Sequence, residues 1–163
     1  MYSFERILIP TDFSDCSRKA LGLGLSMASR FGAKVWLLHV EGDNPSNSTY
    51  WSNDATNAEL AELETAEKAV HAEYEMANVA MANATGLKMV DNDDVAIRVA
   101  TGAPAEEILR AAADCRADLV VLGTHGRTGI KDFFVGSTTE RVVERASAAV
   151  FAVKPDGYPF LRD

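Results

Sequence analysis

Cysteine is scarce in this chain of 163 residues, which carries only Cys16 and Cys115. Their separation fits neither a metal-ligand pair nor a redox pair. Each falls on the apolar stripe of a predicted helix, so buried free thiols in a reducing cytoplasm are expected. No apolar run approaches the roughly 20 residues that a membrane-spanning helix requires. The stretch from Met1 to Arg6 lacks the long apolar region of a secretory signal, which again points to the cytoplasm. Positive charge is also short. The net charge of −8 argues against general affinity for nucleic acid, which needs clustered Lys and Arg. An apolar content of 47% with 25% charged residues suits one globular domain spanning residues 1–163.

The common phosphate-binding patterns are missing as well. A Walker loop needs a Lys-Ser/Thr pair after its last glycine, whereas Ser137 directly follows Gly136 with no lysine between them. The dinucleotide pattern G-x-G-x-x-G is absent, because Gly123, Gly126 and Gly129 recur every third residue. Gly22 and Gly24 supply half of that pattern but lie within a helical periodicity, where close helix packing is the expected role.

What is present is an apolar run, Leu119-Val120-Val121-Leu122, that empties into Gly123-Thr124-His125-Gly126. Nine residues later come Gly136-Ser137 and a segment patterned as a helix. A strand, a glycine-punctuated loop and a helix start together suit a phosphate, since glycine permits close backbone approach and the first helical N–H groups are unpaired. The loop carries two cations, Arg127 and Lys131, against one anion, Asp132. A polyanion can therefore be held locally despite the acidic whole, because remote charge is screened over roughly 8–10 Å.

Strand and helix signals alternate along the chain. Arg6 to Pro10 reads as a buried strand, with Ser14 or Asp15 capping the helix that follows. In that helix Cys16, Ala20, Leu23, Met27 and Phe31 form the expected apolar stripe, and Gly32 stops it. Val35 to Val40 is a second strand, and residues 41–56, rich in Asn and Ser, form a variable loop. A long helix from about Asn57 to Asn83 carries Leu60, Leu63, Ala66, Val70, Tyr74, Ala77 and Met81 on one stripe. Its charges, including Glu59, Glu62, Glu64, Glu67, Lys68, Glu73 and Glu75, read as a solvated face that also bears His71. A third strand runs from Val95 to Ala100, and Pro104 opens a helix reaching about Cys115. Leu119 to Leu122 and Val150 to Val153 are the last strands, joined through the glycine loop and a helix from Ser137 to about Ala146. Short, nearly all-apolar strands separated by helices predict an α/β fold, a single open, doubly wound parallel sheet of five strands with helices on both faces.

The spacing G-x2-G-x9-G-Ser resembles the ATP-binding signature of the universal stress protein family. Arg6-Ile7-Leu8-Ile9-Pro10-Thr11-Asp12-Phe13-Ser14 is similar to that family's first strand and Pro-Thr-Asp turn. Leu37-Leu38-His39-Val40, Gly102-Ala103-Pro104 and the segment ending at Lys154-Pro155 extend the resemblance over about residues 4–155. The resemblance implies a Rossmann-like strand order 3-2-1-4-5, placing the reversal of winding between the first and fourth strands, where such sheets bind ligands. It also implies a homodimer through the last strand, from about Ala149 to Val153. An apolar, uncovered edge strand is a pairing surface on physical grounds too, although the Tyr158–Leu161 part of the 155–163 tail is an alternative cover.

The candidate nucleotide-binding residues are Pro10, Thr11, Asp12 and Val40, then Gly123, Thr124, His125, Gly126 and Arg127, and finally Gly136, Ser137 and Thr138. Asp12 can accept hydrogen bonds from ribose hydroxyls, or cap a helix. The resemblance suggests that the Val40 backbone reads the adenine edge. Gly123 and Gly126 allow close approach, with the Gly126 amide near the phosphates. Gly136 and the N–H groups of Ser137 and Thr138 would cradle phosphate; Ser137 could equally be a plain N-cap. Arg127 can reach phosphate or stay solvated, His125 has no metal-like partner, and His39 reads as a hydrogen-bonded core residue. No catalytic and no metal-ligating residue is assigned. The expected ligand is ATP with Mg2+, and the expected role is a nucleotide-dependent stress-response or signalling module. The alternatives are a slow ATPase or autophosphorylating protein, with Ser137, Thr138 or Thr139 as acceptor, and a dimeric scaffold without nucleotide. The His-x-Gly-His and Ser-Gly-Gly-x-Asp-Ser loops of adenylyl-transferring and pyrophosphatase relatives of this architecture are absent, which favours binding over transfer.

Overall fold

The computed structural model describes residues 3–42, 57–125 and 136–156. Five strands, β1 (Arg6–Thr11), β2 (Lys34–Glu41), β3 (Val95–Thr101), β4 (Leu119–Gly123) and β5 (Ala149–Val153), form one sheet in the order β3-β2-β1-β4-β5. All four neighbouring pairs are parallel. Between them run α1 (Asp15–Phe31), α2 (Asn57–Thr85), α3 (Pro104–Asp114) and α4 (Ser137–Arg145), as the alternation of strand and helix signals predicts.

Strand alternation divides the core into two layers. Ile7, Ile9, Val35, Leu37, Leu119 and Val121 pack with Leu21 and Leu25 of α1 and with Val70 and Tyr74 of α2. The intervening residues Leu8, Leu38, Val120 and Leu122 pack with Ile108 of α3 and Val142 of α4 on the opposite face. Burial on both faces is why these strands are apolar without alternation. Each fully buried Ile, Leu or Val contributes roughly 1.5–3 kcal/mol.

Helix α1 starts where Ser14 accepts the Ser17 N–H and stops where Gly32 takes the left-handed conformation, φ 66°. Its buried face differs from the expected stripe. Cys16 and Ala20 are buried, but the face continues through Leu21, Gly24, Leu25 and Ala28. Leu23 and Phe31 are exposed, and the Phe31 ring instead meets Phe4 edge to face at 5.5 Å. The helix lies close on the sheet, so small residues share the contact face with Leu21 and Leu25. Gly24 shows this: a Cβ there would overlap the Ile9 side chain, with Cγ1 at 3.0 Å. Gly22 has open space at the same point, so the packing role expected of both glycines belongs to Gly24 alone.

Helix α2 buries Ala66, Val70, Tyr74 and Met81 as expected, and ends at Thr85 before Gly86, φ 69°. Two of its polar residues are buried. Asn78 Nδ2 donates to the Val90 carbonyl at 2.9 Å and its Oδ1 accepts the Val90 N–H at 3.0 Å, which pins the chain after the helix. Glu73, expected on the solvated face, is buried against the end of β1 and the start of α1. Its charge is met by Arg18 from another helix, a pairing that helical periodicity alone does not reveal. Of the cysteines, Cys16 is buried as expected and its thiol lies 3.1 Å from the Val153 carbonyl. Cys115 is only half-buried because it ends α3, though burial still pushes its thiol pKa up.

Candidate nucleotide site at the parting of β1 and β4

The site begins with an interrupted pairing. Strand β1 stays in register with β2 from Arg6↔Lys34 to Thr11↔His39, yet its register with β4 is confined to Ile7↔Leu119 and Leu8↔Val120. Beyond Leu8 the two strands part. Pro10 lies in this freed stretch, where a residue without an N–H costs β4 no hydrogen bond. β4 meanwhile remains paired with β5 to Gly123↔Val153. A crevice therefore opens at the carboxyl ends of β1 and β4, the point at which the winding reverses.

Two turns line this crevice. On the β1 side, Asp12 is half-buried and its Oδ1 accepts the Ser14 N–H at 3.1 Å. Ser14, not Asp12, caps α1. Between them Phe13 has φ 63°, a left-handed conformation that costs a non-glycine residue on the order of 1–3 kcal/mol unless its surroundings hold it. The Phe13 ring lies against His39 with centroids 4.6 Å apart. His39 is buried, as its strand position predicts, and its Nδ1 donates to the Thr11 carbonyl at 2.8 Å. Its Nε2 lies 3.3 Å from Glu41 Oε1.

On the β4 side, the Thr124 N–H donates to the Val153 carbonyl at 2.8 Å, and the Thr124 carbonyl accepts the Gly136 N–H at 2.9 Å. The Thr139 hydroxyl reaches back to the Gly123 carbonyl at 2.9 Å. These bonds tie the first turn of α4 to the end of β4. Ser14 Oγ lies 3.5 Å from the His125 carbonyl, linking the two sides of the crevice. The Thr124 hydroxyl pairs with His125 Nδ1 at 2.9 Å. Gly136 occupies the cap of α4 and makes Ser137 the first helical residue, so Ser137 is not the N-cap. The first α4 bond runs from the Glu140 N–H to Gly136, which leaves the N–H groups of Ser137 and Thr138 without partners inside the helix.

The predicted residues divide accordingly. Asp12, Gly123, Thr124, His125, Gly136, Ser137 and Thr138 gather around the crevice, with Pro10 leading into it. Thr11 is buried and its hydroxyl is engaged with Glu73. Val40 is half-buried near the end of β2 and packs toward the α3–α4 layer. Gly126 and Arg127 lie outside the described residues. Thr139 is buried with its hydroxyl committed to Gly123, which removes it from the possible phosphate acceptors. Phe13 and Glu73 escaped sequence reading: phenylalanine carries no local signal for positive φ, and Glu73 is one acid among many on its helix.

A family model described as "Universal stress protein family" matches residues 3–154. The chain belongs to the universal stress protein family. Universal stress protein MJ0531 of Methanocaldococcus jannaschii is 32% identical over 152 residues, covering 93% of this chain and 82% of that protein. Universal stress protein MJ0577 of the same organism is 29% identical over 160 residues. The solved structure of MJ0577 superimposes with a TM-score of 0.69 at 28% identity, covering 94% of this chain and 98% of that one. The likeness extends at the level of fold, with a TM-score of 0.60 and 23% identity, to a universal stress protein solved in complex with cAMP.

Proposed function

We propose that this chain is an adenine-nucleotide-binding module, taking ATP with Mg2+ in the β1–β4 crevice and altering its shape or partner preference in a stress response. The observation that carries this reading is the parting of β1 and β4 after Leu8↔Val120, with Asp12 on one wall and the α4 N-terminus on the other. Unpaired N–H groups at a helix start attract phosphate, each helix terminus contributing roughly 0.3–2 kcal/mol, so several donors act together. Gly136 lets the start of α4 lie against the end of β4, since a Cβ on it would stand 3.2 Å from the Thr124 carbonyl oxygen. Asp12 takes the ribose hydroxyls, the Val40 backbone the adenine edge, and Gly126 with Arg127 the phosphates.

The reading includes a homodimer paired through β5, whose Ala149, Phe151 and Ala152 are exposed at the sheet edge. It also places the module in the cytoplasm, consistent with two free thiols. Native mass spectrometry of protein purified without added nucleotide, followed by calorimetric titration of Mg-ATP, tests the proposal. Retained adenine nucleotide, or saturable binding that Gly126→Val and Gly136→Val abolish, is the expected result. Equal titrations for wild type and both variants would remove the site.

A further inference from the structure

The most unusual charge in the described residues is Glu73. Its side chain is 6% exposed, although the neighbouring acids of α2 stand in solvent. A buried carboxylate is costly unless it is paired and hydrogen-bonded, and an apolar residue of similar size would often serve stability as well. Both oxygens are engaged. Oε1 accepts Arg18 Nε at 3.1 Å and Oε2 accepts the Thr11 hydroxyl at 2.7 Å.

The Thr11 hydroxyl donates to Glu73 Oε2 at the shortest of its contacts, and its oxygen accepts the Phe13 N–H at 3.2 Å. Ser17 Oγ lies farther off at 3.3 Å and donates its own hydrogen to the Ser14 carbonyl at 2.9 Å. A directed chain thus runs from the Phe13 amide through Thr11 to Glu73, closed from the far side by Arg18. Thr11 and Phe13 are the two neighbours of Asp12. His39 holds the Thr11 carbonyl at 2.8 Å, and the turn includes Phe13 in a strained left-handed conformation that persists only when several contacts hold it.

From this we infer that Glu73 is a positioning residue of the nucleotide site: acting through the Thr11 hydroxyl, it fixes the turn that presents Asp12 to the ribose. The long helix α2 therefore sets how strictly the site reads a sugar's hydroxyls. This rests on the proposed nucleotide-binding role of Asp12.

The test compares binding of Mg-ATP and Mg-2′,3′-dideoxy-ATP to the full chain by calorimetry. Hydrogen bonds to a charged acceptor contribute enough for wild type to prefer ATP by about tenfold or more. Asp12→Ala should abolish that preference. Glu73→Leu should reduce it to about threefold or less, and Glu73→Gln should restore it, because the amide oxygen still accepts from Thr11. Simple destabilisation would weaken both ligands alike and leave the ratio unchanged.

A wild-type protein with no preference, or an Asp12→Ala protein that keeps it, overturns the reading of the site and the inference with it. Loss of preference in Asp12→Ala with full preference in Glu73→Leu overturns the inference alone. Should Glu73→Leu fail to fold, Thr11→Val removes the same link. A full preference in that variant is equally fatal, and its collapse supports the inference. A Glu73→Gln protein that behaves like Asp12→Ala overturns the role given to the Thr11 hydroxyl.

Discussion

Gly123, the last residue of β4, lies so close to Cys16 in the first turn of α1 that a Cβ on it would stand 3.0 Å from both the carbonyl carbon and the Sγ of Cys16. The Cys16 backbone belongs to a capped helix and its thiol is held at the Val153 carbonyl, so neither yields easily. Close approach of α1 to β4 is thus a requirement for glycine at this position, with no need of positive φ.

Gly123→Ala is accordingly expected to destabilise the fold by about 1–3 kcal/mol, as overpacking of a well-fitted contact does. It should also displace the Gly123 carbonyl from the Thr139 hydroxyl and weaken nucleotide binding. Urea unfolding checks the first effect and Mg-ATP titration the second. A variant of wild-type stability would show that α1 can retreat without cost.

Asn78 should be among the least replaceable polar residues. It is 1% exposed and satisfies both the N–H and the carbonyl of Val90, while also donating to the Tyr74 hydroxyl at 3.0 Å. Asn78→Leu leaves the Val90 N–H buried without that acceptor, at an expected cost of roughly 2–4 kcal/mol. Chemical denaturation followed by circular dichroism reads this directly. A loss below about 0.5 kcal/mol, the range of an ordinary surface substitution, would contradict it.

The amino-terminal ends of β1 and β4 are joined by Asp118, whose Oδ2 accepts the Glu5 and Arg6 N–H groups at 3.0 and 2.9 Å and whose Oδ1 meets Arg6 Nη2 at 2.9 Å. Burial by itself favours the neutral acid, but these hydrogen bonds and the Arg6 charge outweigh it and hold the pKa below the usual carboxylate range. A lowered folded-state pKa stabilises the protein above the unfolded value of about 4, and the contribution is lost as pH falls through the folded value. Asp118→Asn should therefore cost about 1–3 kcal/mol near pH 7, with the gap to wild type narrowing below about pH 4. Stability measured across this range tests the sign. A gap independent of pH would show that the charge plays no part.

Much of the architecture was legible along the chain. Strands buried on both faces must be apolar throughout, and helices that cover them must show period 3.6, so element order followed from pattern. Ser14, Gly32 and Pro104 marked helix boundaries because capping and proline geometry are local properties. The glycine spacing from Gly123 to Ser137 and the Pro10–Ser14 turn marked two candidate segments, which the strand order implied by the family resemblance set side by side. Misreadings arose where size or charge had to be weighed against a distant neighbour. Leu23 and Phe31 fit the core stripe by their spacing, yet the buried face runs through Ala20, Leu21, Gly24, Leu25 and Ala28.

By itself, then, the order of residues determined which segments become strands or helices and where several of them stop, while the meeting of two turns at the reversal of winding was implied only by the family resemblance. The segments and their stops depend on backbone preferences and on periodic burial, both encoded within a few neighbouring positions. Tertiary structure alone decided that β1 and β4 part after Leu8, that Phe13 is held in a strained conformation, and that Glu73 leaves the solvated face of α2 to bond Thr11. Each of these balances a local cost against contacts from residues tens of positions away, and such a balance exists only once the chain has closed on itself.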